Sequence, residues 1–304
     1  MNLYSINTGH FKLDGGAMFG VVPKSIWNKL NPADENNMCS WALRSLLIEE
    51  GNKLILIDNG MGDKQDARFF GHYYLHGDDT LDKSLALYGF TKDDITDVVL
   101  THLHFDHCGG CISRVGDKLM PAFKYATFWS NERHWEWATQ PNDREKASFL
   151  KENILPLKES GQLKMIDISV LTDEDEEGEL PVITGASVII PGMSFIIVNG
   201  HTDSMMLPVI QSKEKTIVFV ADLLPSLAHI PLPYVMAYDM FPLTTLREKK
   251  IFLSWALQND CTLFLEHDPV NECCTLQLTE KGIRSKDIFK ISELNYLPNS
   301  NEGS

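Results

Sequence analysis

The stretch "THLHFDHCGG" (residues 101–110) decides the fold of this 304-residue chain. It brings four side chains that can bind a metal into one short segment: His102, His104, Asp106 and His107. Side chains at such close spacing cannot all point in one direction, which leaves the geometry of the stretch open. The pattern therefore indicates either one metal site or two.

Three further ligand candidates follow other predicted strands. His201, Asp222 and His267 each lie within a few residues of the end of an apolar run. Strand ends of layered α/β proteins meet at one edge, where loops carry ligand sites. The runs predicted as strands are Leu46–Ile48, Leu54–Ile57, Val98–Thr101, Tyr125–Trp129, Ser187–Ile190, Phe195–Val198, Leu207–Gln211, Thr216–Ala221 and Thr262–Leu265.

Three segments carry apolar residues at helical spacing. Gly89 is predicted to end the first helix, and Pro156 to kink or end the second. Thr245 and Glu248 have the spacing of a capping box and predict the start of the third. Strands and helices mixed in this way indicate sheets covered by helices. The apolar residues concerned are Leu81, Leu85 and Tyr88; Ala147, Leu150, Ile154 and Leu157; and Ile251, Phe252 and Trp255.

Composition narrows the classes of partner. The net charge of −15 would repel a phosphate backbone, and no run of Lys or Arg offsets it, so nucleic acid is excluded. No apolar stretch approaches the roughly 20 residues that span a bilayer, and the N-terminus does not resemble a signal peptide. Six cysteines in a long chain without an export signal favour reduced thiols, which predicts a cytoplasmic protein with no membrane partner.

The order of these motifs resembles the metallo-β-lactamase superfamily. The resemblance rests on four features in order: the His-x-His-x-Asp-His pattern, a later Gly-His, an Asp after a strand and a last His. It spans Leu46 to His267. The resemblance implies an α/β fold, a four-layer αββα sandwich. It also implies one domain over residues 1–304, with an N-terminal loop and pocket segment (1–45) and a C-terminal strand or tail (268–304).

The same resemblance implies that residues 101–110 form a loop rather than a helix and divide their ligands between two divalent metal ions, which answers the question raised by this stretch. Zinc suits these ligands best, with iron, manganese and cobalt as alternatives. Asp58 would orient one of the metal ligands without binding the metal itself. The implied ligands are His102, His104 and His201 for the first ion, Asp106, His107 and His267 for the second, and Asp222 as the bridge between them.

Two segments resemble one branch in particular. "DGGAMFGVVPKSIWNKLNPADENN" (14–37) and "LILIDNGMGDK" (54–64) are similar to the lactonase and esterase-like branch that includes the acyl-homoserine lactonases. That branch implies hydrolysis of a lactone, ester or similar small carbonyl substrate by a metal-bridging hydroxide, with Asp106 and Asp222 at the catalytic centre. The expected pocket walls, apolar and poor in cations, are Met18, Phe19, Trp27 and residues 228–238.

The sequence departs from the branch at two places. Asp203 and Ser204, in "HTDSM" (201–205), replace the usual Pro-Gly turn. Pro225 stands where acyl-homoserine lactonases carry a Tyr that polarises the substrate carbonyl. The expected substitute donor is His229, a predicted catalytic residue, or Tyr234.

Other functions on the same fold remain alternatives. A mononuclear iron dioxygenase and a thioesterase similar to hydroxyacylglutathione hydrolase both fit the motif. Flavodiiron enzymes carry Glu where this chain has His104.

Cys108 and Cys111 are assigned to packing rather than to a metal. The acidic segment Thr172–Glu179 is expected to be a solvated loop. The natural substrate and the oligomeric state are left open, with a dimer allowed.

Overall fold

Two β-sheets form the centre of the computed structural model, which describes residues 1–168, 182–183 and 189–296. Fifteen strands occur in these ranges. They are β1 (Asn2–Asp14), β2 (Met38–Glu50), β3 (Lys53–Ile57), β4 (Asp97–Val99), β5 (Ile112–Val115), β6 (Lys118–Pro121), β7 (Thr127–Asn131), β8 (Leu163–Ile166), β9 (Val182–Ile183), β10 (Met193–Val198), β11 (Met205–Ser212), β12 (Lys215–Phe219), β13 (Thr262–Phe264), β14 (Cys273–Thr279) and β15 (Gly282–Phe289).

Eight α-helices connect these strands within the described ranges, together with short 3₁₀ turns. They are α1 (Gly15–Phe19), α2 (Lys24–Trp27), α3 (Ala67–Tyr73), α4 (Leu81–Leu87), α5 (Phe105–Cys108), α6 (Glu132–Thr139), α7 (Lys151–Glu159) and α8 (Pro242–Gln258). None of them is long and apolar enough to cross a membrane.

The first sheet has the strand order β1-β2-β3-β4-β7-β8 and the second the order β15-β14-β13-β12-β11-β10-β9. In the first, β3, β4, β7 and β8 are parallel, with Leu56 opposite Val98 and Val98 opposite Phe128. In the second, β12 and β13 are parallel and the remaining pairs antiparallel. Strands β5 and β6 form a separate hairpin.

The main core lies between the two sheets. Ile55 and Val99 of the first sheet share one buried cluster with Phe195 and Phe219 of the second. The opposite face of the first sheet packs in a second cluster with α4, α6 and α7. Helix α8 lies on the outer side of the second sheet near β14 and β15. The predicted four-layer αββα sandwich is therefore confirmed.

Three backbone hydrogen bonds join the sheets near the end that carries the His-rich loop. Met206 N donates to Thr101 O at 2.9 Å, Ala42 N to His267 O at 3.1 Å, and Arg44 N to Glu266 O at 3.2 Å. These bonds fix loops of one sheet against strands of the other.

The predicted helices are present, but two of their boundaries differ. Thr80 caps α4, and Gly89, with φ of +80°, follows its end as expected. Helix α7 begins at Lys151, later than the apolar spacing suggested, and runs through Pro156 to Glu159. The sequence predicts that Pro156 kinks or ends the helix, and of these two outcomes the ending is wrong.

The capping-box prediction for Thr245 and Glu248 is also wrong. Helix α8 begins at Pro242, so both residues lie in its interior, and Thr245 Oγ1 donates back to Phe241 O. The Glu248 carboxylate instead accepts hydrogen bonds from the backbone N–H groups of Asn199 and Gly200, at 2.7 and 2.9 Å. Interior residues three apart on a helix have the same spacing as a capping box.

The sequence predicts a loop for the N-terminal segment, residues 1–45, but the structure also contains a long strand there. β1 pairs with β2 over most of its 13 residues. Its register shifts between Asn7 and His10, where Gly9 has a φ of +132°. This irregularity breaks the period-two apolar pattern that identifies a strand. The sequence therefore does not indicate β1.

Part of the predicted strand Ser187–Ile190 and the whole acidic segment lie outside the described residues. Of the predicted strand Ser187–Ile190, Ile189 and Ile190 precede a turn at Gly192, and β10 then pairs with Val182–Ile183. Thr172–Glu179 falls entirely outside.

Candidate metal centre and substrate cavity

Residues 101–110 form an extended segment followed by one short helical turn. His102 and His104 lie on the extended part after β4, whereas Asp106 and His107 lie in α5. Leu103 N donates to His134 Nε2 at 2.9 Å, and His134 Nδ1 in turn contacts Asp203 O at 2.6 Å. The change from extended to helical backbone directs the two pairs of side chains to different places.

The first pair meets side chains from the second sheet. His102 Nε2 and His201 Nε2 lie 3.0 and 3.2 Å from His104 Nδ1. Asp222 Oδ2 is 3.0 Å from His201 Nε2. The ligand atoms of these four residues lie within 4.8 Å of one another. Their arrangement gives three imidazole nitrogens and a carboxylate around one point.

The second pair meets the last histidine. His107 Nε2 lies 3.2 Å from His267 Nε2, and Asp106 Oδ2 is 3.7 Å from each of them. Asp222 Oδ1 is 3.1 Å from His267 Nε2. Asp222 Oδ1 therefore faces the second cluster, whereas Oδ2 faces the first and also lies 3.5 Å from His107 Nε2, so the carboxylate lies between the two clusters as a bridging ligand would. All seven side chains are buried.

Each histidine is held through the ring nitrogen that points away from its cluster. His104 Nε2 contacts Glu145 Oε1 at 2.9 Å, and His201 Nδ1 contacts Asp239 Oδ1 at 2.8 Å. His267 Nδ1 faces the Ala42 carbonyl at 2.8 Å. Each outer partner is an acceptor, so in the neutral ring the N–H lies on the outer nitrogen, and the inner nitrogen offers a lone pair once any proton on it is displaced.

Asp58 holds the remaining two histidines. Thr101 Oγ1 donates to Asp58 Oδ2 at 2.6 Å and, having one proton, accepts from His102 Nδ1 at 3.0 Å. Asp58 Oδ2 is also 3.0 Å from His107 Nδ1. Asp58 has a φ of +53°, uncommon for a residue other than Gly. The position of Asp58 agrees with its predicted role of orienting a metal ligand.

The donor set suits metal cations. Neutral imidazoles with inner lone pairs 3.0 to 3.2 Å apart repel one another unless a cation lies among them. Such separations fit nitrogens that each bind zinc at about 2.0–2.1 Å. Asp222 Oδ1 is buried and accepts no hydrogen bond despite its closeness to His267, so it has a free lone pair. The residues present therefore fit two divalent ions.

The carboxylates of the site favour positive charge. Burial lowers the pKa of His201, but the charges of Asp222 and Asp239 outweigh burial and raise it to about 10. The pKa of His267 is raised to about 9, because Asp222 and Glu266 likewise outweigh burial. The same field that keeps protons on these rings attracts a metal ion, which would displace them.

Three supporting acids were not predicted as part of the site. Burial would raise the pKa of Glu145, but hydrogen bonding to His104 dominates and lowers it to about 2, so Glu145 is ionised. Glu266 Oε2 lies 3.1 Å from His107 Nδ1, beside Asp58, and its pKa is raised by burial and by the Asp58 charge. Asp239 lies far from the motifs in sequence. Only Glu266, adjacent to His267, had a sequence signal.

A cavity of about 310 Å³ opens onto the two clusters. Ligand residues form part of its lining, and apolar side chains and two tyrosines, Tyr73 and Tyr238, form much of the rest. One Lys or Arg side chain, Arg144, also lines it, which agrees with the expected small number of cations. The lining residues are Leu13, Met18, Tyr73, His104, Phe105, Asp106, Arg144, Glu145, Ser148, His201, Asp222, Met236, Ala237, Tyr238, Met240 and His267.

Two expected pocket residues lie behind the wall instead. Met18 lines the cavity as predicted, but Phe19 and Trp27 do not. Phe19 is fully buried, with its ring stacked on Trp27 at 5.3 Å and on His229 at 4.8 Å. The prediction that Phe19 and Trp27 form the pocket wall is wrong because both rings belong to an aromatic core.

His229 is likewise not available as a catalytic donor. Its Nδ1 contacts Ser226 Oγ at 2.8 Å, and its Nε2 contacts the Met18 carbonyl at 2.9 Å. Burial lowers the pKa of His229 to about 3, so the ring is neutral. Neither His229 nor Tyr234 lines the cavity. The predicted catalytic role of His229 is therefore corrected to a structural one.

The two departures from the family pattern have local explanations. Ser204 adopts a φ of +56° in the turn where relatives have Gly, and Asn199 Oδ1 accepts its N–H at 2.9 Å. The Pro225 carbonyl accepts from His267 N at 3.1 Å. Pro225 thus supports the backbone of the last histidine and provides no side-chain donor.

Two facing sheets, covered by helices, carry at one shared end a buried cluster of His and Asp side chains that could hold metal, an arrangement that supports a metal-dependent hydrolase. Residues 44–255 match the metallo-beta-lactamase superfamily, and the chain belongs to this superfamily.

Solved structures show the same fold. A probable metal-dependent hydrolase from Staphylococcus aureus is 26% identical, with a TM-score of 0.80 over 95% of this chain and 96% of that one. The dizinc quorum-quenching lactonase AidC is 21% identical, with a TM-score of 0.73 over 95% of each chain. The hydrolase AbOPH is 20% identical, with a TM-score of 0.70 over 95% of this chain and 94% of that one.

Proposed function

We propose that the protein is a dinuclear metal hydrolase that cleaves a lactone, ester or similar small carbonyl compound. The observation that carries the proposal is the position of Asp222 between the two histidine clusters, with Oδ2 3.0 Å from His201 Nε2 and Oδ1 3.1 Å from His267 Nε2. The group of Asp106, His107 and His267 offers ligands for a second ion beside the first. The proposed ligands are thus the seven residues that the sequence indicated.

The chain's residues would divide the work between holding metal and holding substrate. Two divalent ions, zinc above all, would supply Lewis-acid activation of water and of the substrate carbonyl. Glu145, Asp239 and Asp58 keep the imidazoles oriented. The apolar side chains of Met18 and Met236 offer a surface for an acyl or alkyl group.

Tyr73 and Tyr238 are the proposed donors to the substrate carbonyl in place of His229. Both line the cavity. Burial, and to a lesser extent the Asp106 charge, raises the pKa of Tyr73 to about 12. Burial also raises the pKa of Tyr238, with smaller contributions from Asp14, Tyr73 and Asp106. Both phenols therefore keep their protons at neutral pH and can donate hydrogen bonds.

The lactone and ester class is supported by chemistry and by similarity. AidC, which shares the fold, is a dizinc lactonase. The net charge of −15 disfavours polyanionic substrates such as nucleic acids. All six cysteines are free and buried, which fits a protein of the reducing cytoplasm.

The test is metal analysis of the purified protein, followed by a hydrolysis screen of lactones, aryl esters, thioesters and bis(p-nitrophenyl) phosphate. We expect two ions per chain and faster cleavage of a lactone or ester than of the phosphodiester. One ion per chain after metal loading, or phosphodiester cleavage faster than every ester, would contradict the proposal. Tyr73→Phe and Tyr238→Phe should lower kcat with unchanged metal content.

A further inference from the structure

The guanidinium of Arg144 is a cation on the cavity wall without a carboxylate partner in the described parts of the chain. Its Nη2 donates to the Ala237 carbonyl. No Asp or Glu of these ranges lies within 4.0 Å of its side-chain nitrogens in an ion pair, and Arg144 is exposed. A guanidinium has five N–H donors, so most of them remain available to a ligand.

The acids beside Arg144 are engaged elsewhere. Asp143 pairs with Lys146 at 2.8 Å, and Glu145 holds His104 and accepts from Trp137 Nε1 at 2.6 Å. The only other carboxylates of the cavity lining, Asp106 and Asp222, belong to the two clusters. Arg144 is therefore left as the positive group of the wall in a chain of net charge −15.

The backbone of Arg144 is tied to the metal centre. Asn142 Oδ1 accepts the N–H groups of Arg144 and Glu145, at 2.9 and 3.1 Å. Because Glu145 also binds His104, the turn that carries Arg144 has a defined position relative to the first cluster. The bond to Ala237 orients the guanidinium further, toward the opposite loop.

We infer that Arg144 binds a carboxylate of the substrate, so that the enzyme prefers esters or lactones carrying a carboxylate away from the scissile carbonyl. This inference rests on the proposed hydrolase function and names its substrate class. A guanidinium matches a carboxylate by two parallel hydrogen bonds, whereas a neutral chain end gains nothing from it. Arg144 is thus a specificity-determining residue.

The kinetic test compares matched substrates. The p-nitrophenyl half-esters of glutaric, adipic and suberic acid carry a carboxylate, and the p-nitrophenyl esters of valeric, hexanoic and octanoic acid do not. We expect wild-type kcat/KM to favour at least one half-ester over its neutral match by about fivefold to tenfold, mainly through KM. Arg144→Gln should abolish this preference, and Arg144→Lys should restore part of it.

Arg114→Gln is the matched control, since Arg114 is an exposed residue of β5 that does not line the cavity. It should keep the wild-type preference. If Arg144 only supports the Ala237 loop, Arg144→Gln will slow both members of each pair equally. That result, or a preference unchanged in Arg144→Gln, overturns the inference while leaving the hydrolase function in place.

A binding measurement separates the inference from catalysis. The zinc-loaded protein is titrated calorimetrically with the mono-anilides of the three diacids and with their neutral primary amides, none of which has an ester to cleave. We expect the acids to bind more tightly than the amides in wild type and not in Arg144→Gln. This outcome without any ester cleavage would reject the proposed hydrolysis but retain the anion site. Absence of binding, or an acid preference that survives Arg144→Gln, would overturn the inference.

Discussion

The metal centre and the wall of the cavity above it are built in opposite ways. Every ligand side chain is buried, with His102 and His107 fully so, and each histidine has an outer partner. On the wall, Tyr238 is 37% exposed, and Arg144 has one side-chain hydrogen bond. The chemistry is thus fixed by several contacts per residue, whereas the groups that would meet the substrate are fixed by few. Such a division lets the wall change without disturbing the metal centre.

Asp222→Ala should give the largest effect, because it removes a ligand from both clusters at once. We expect loss of bound metal and a fall in kcat of at least about 10²–10³-fold. Metal content by elemental analysis and turnover of the best ester measure it. Asp82→Ala, at an exposed acid of α4, is the control. Near-normal turnover in Asp222→Ala would remove the basis for a bridged centre.

Phe19→Ala tests where the wall ends and the core begins. Because the Phe19 ring is fully buried between Trp27 and His229, its loss should cost about 3–5 kcal/mol of unfolding free energy. Urea denaturation measures this, and Val21→Ala, at a side chain 91% exposed, should change little. A raised KM with unchanged stability would show that Phe19 contacts substrate after all.

Asp239→Asn sharpens the comparison by weakening one outer contact and sparing all seven ligands. Asp239 fixes His201 at 2.8 Å, so metal affinity should fall about 10–100-fold in a chelator competition. Asp260→Asn, at a surface acid paired with Lys215, should leave the affinity unchanged. Equal affinities in the two variants would mean that the outer contacts do not orient the ligands.

Cys111→Ser should have the smallest effect, although Cys111 lies close to the centre. Its thiol is buried and accepts from Asn59 Nδ2 at 3.0 Å, and no candidate ligand group of the described residues includes it. The variant should therefore retain the metal content of wild type in elemental analysis. Zinc lost from Cys111→Ser would place the thiol in the metal centre.

The candidate ligands could be predicted from sequence because each follows a buried strand or stands in one compact motif. The residues of the cavity wall could not be predicted from sequence. Tyr73, Arg144 and Tyr238 lie in separate segments with no shared spacing, and only the fold brings them together. The capping-box prediction for Glu248 is wrong for a different reason. Its spacing from Thr245 occurs at helix starts and in helix interiors alike, and only the contact with Asn199 and Gly200 distinguishes the two.

The division of the ligands between the sheets has a consequence for how the protein matures. His102, His104, Asp106 and His107 follow β4 of the first sheet, whereas His201, Asp222 and His267 follow strands of the second. A ribosome adds about 5–20 residues per second, so the first group emerges several seconds before His267. A nascent chain that folds only its first sheet has no complete site. All seven candidate ligands are therefore present together only after the strands of the second sheet that precede them have been synthesised.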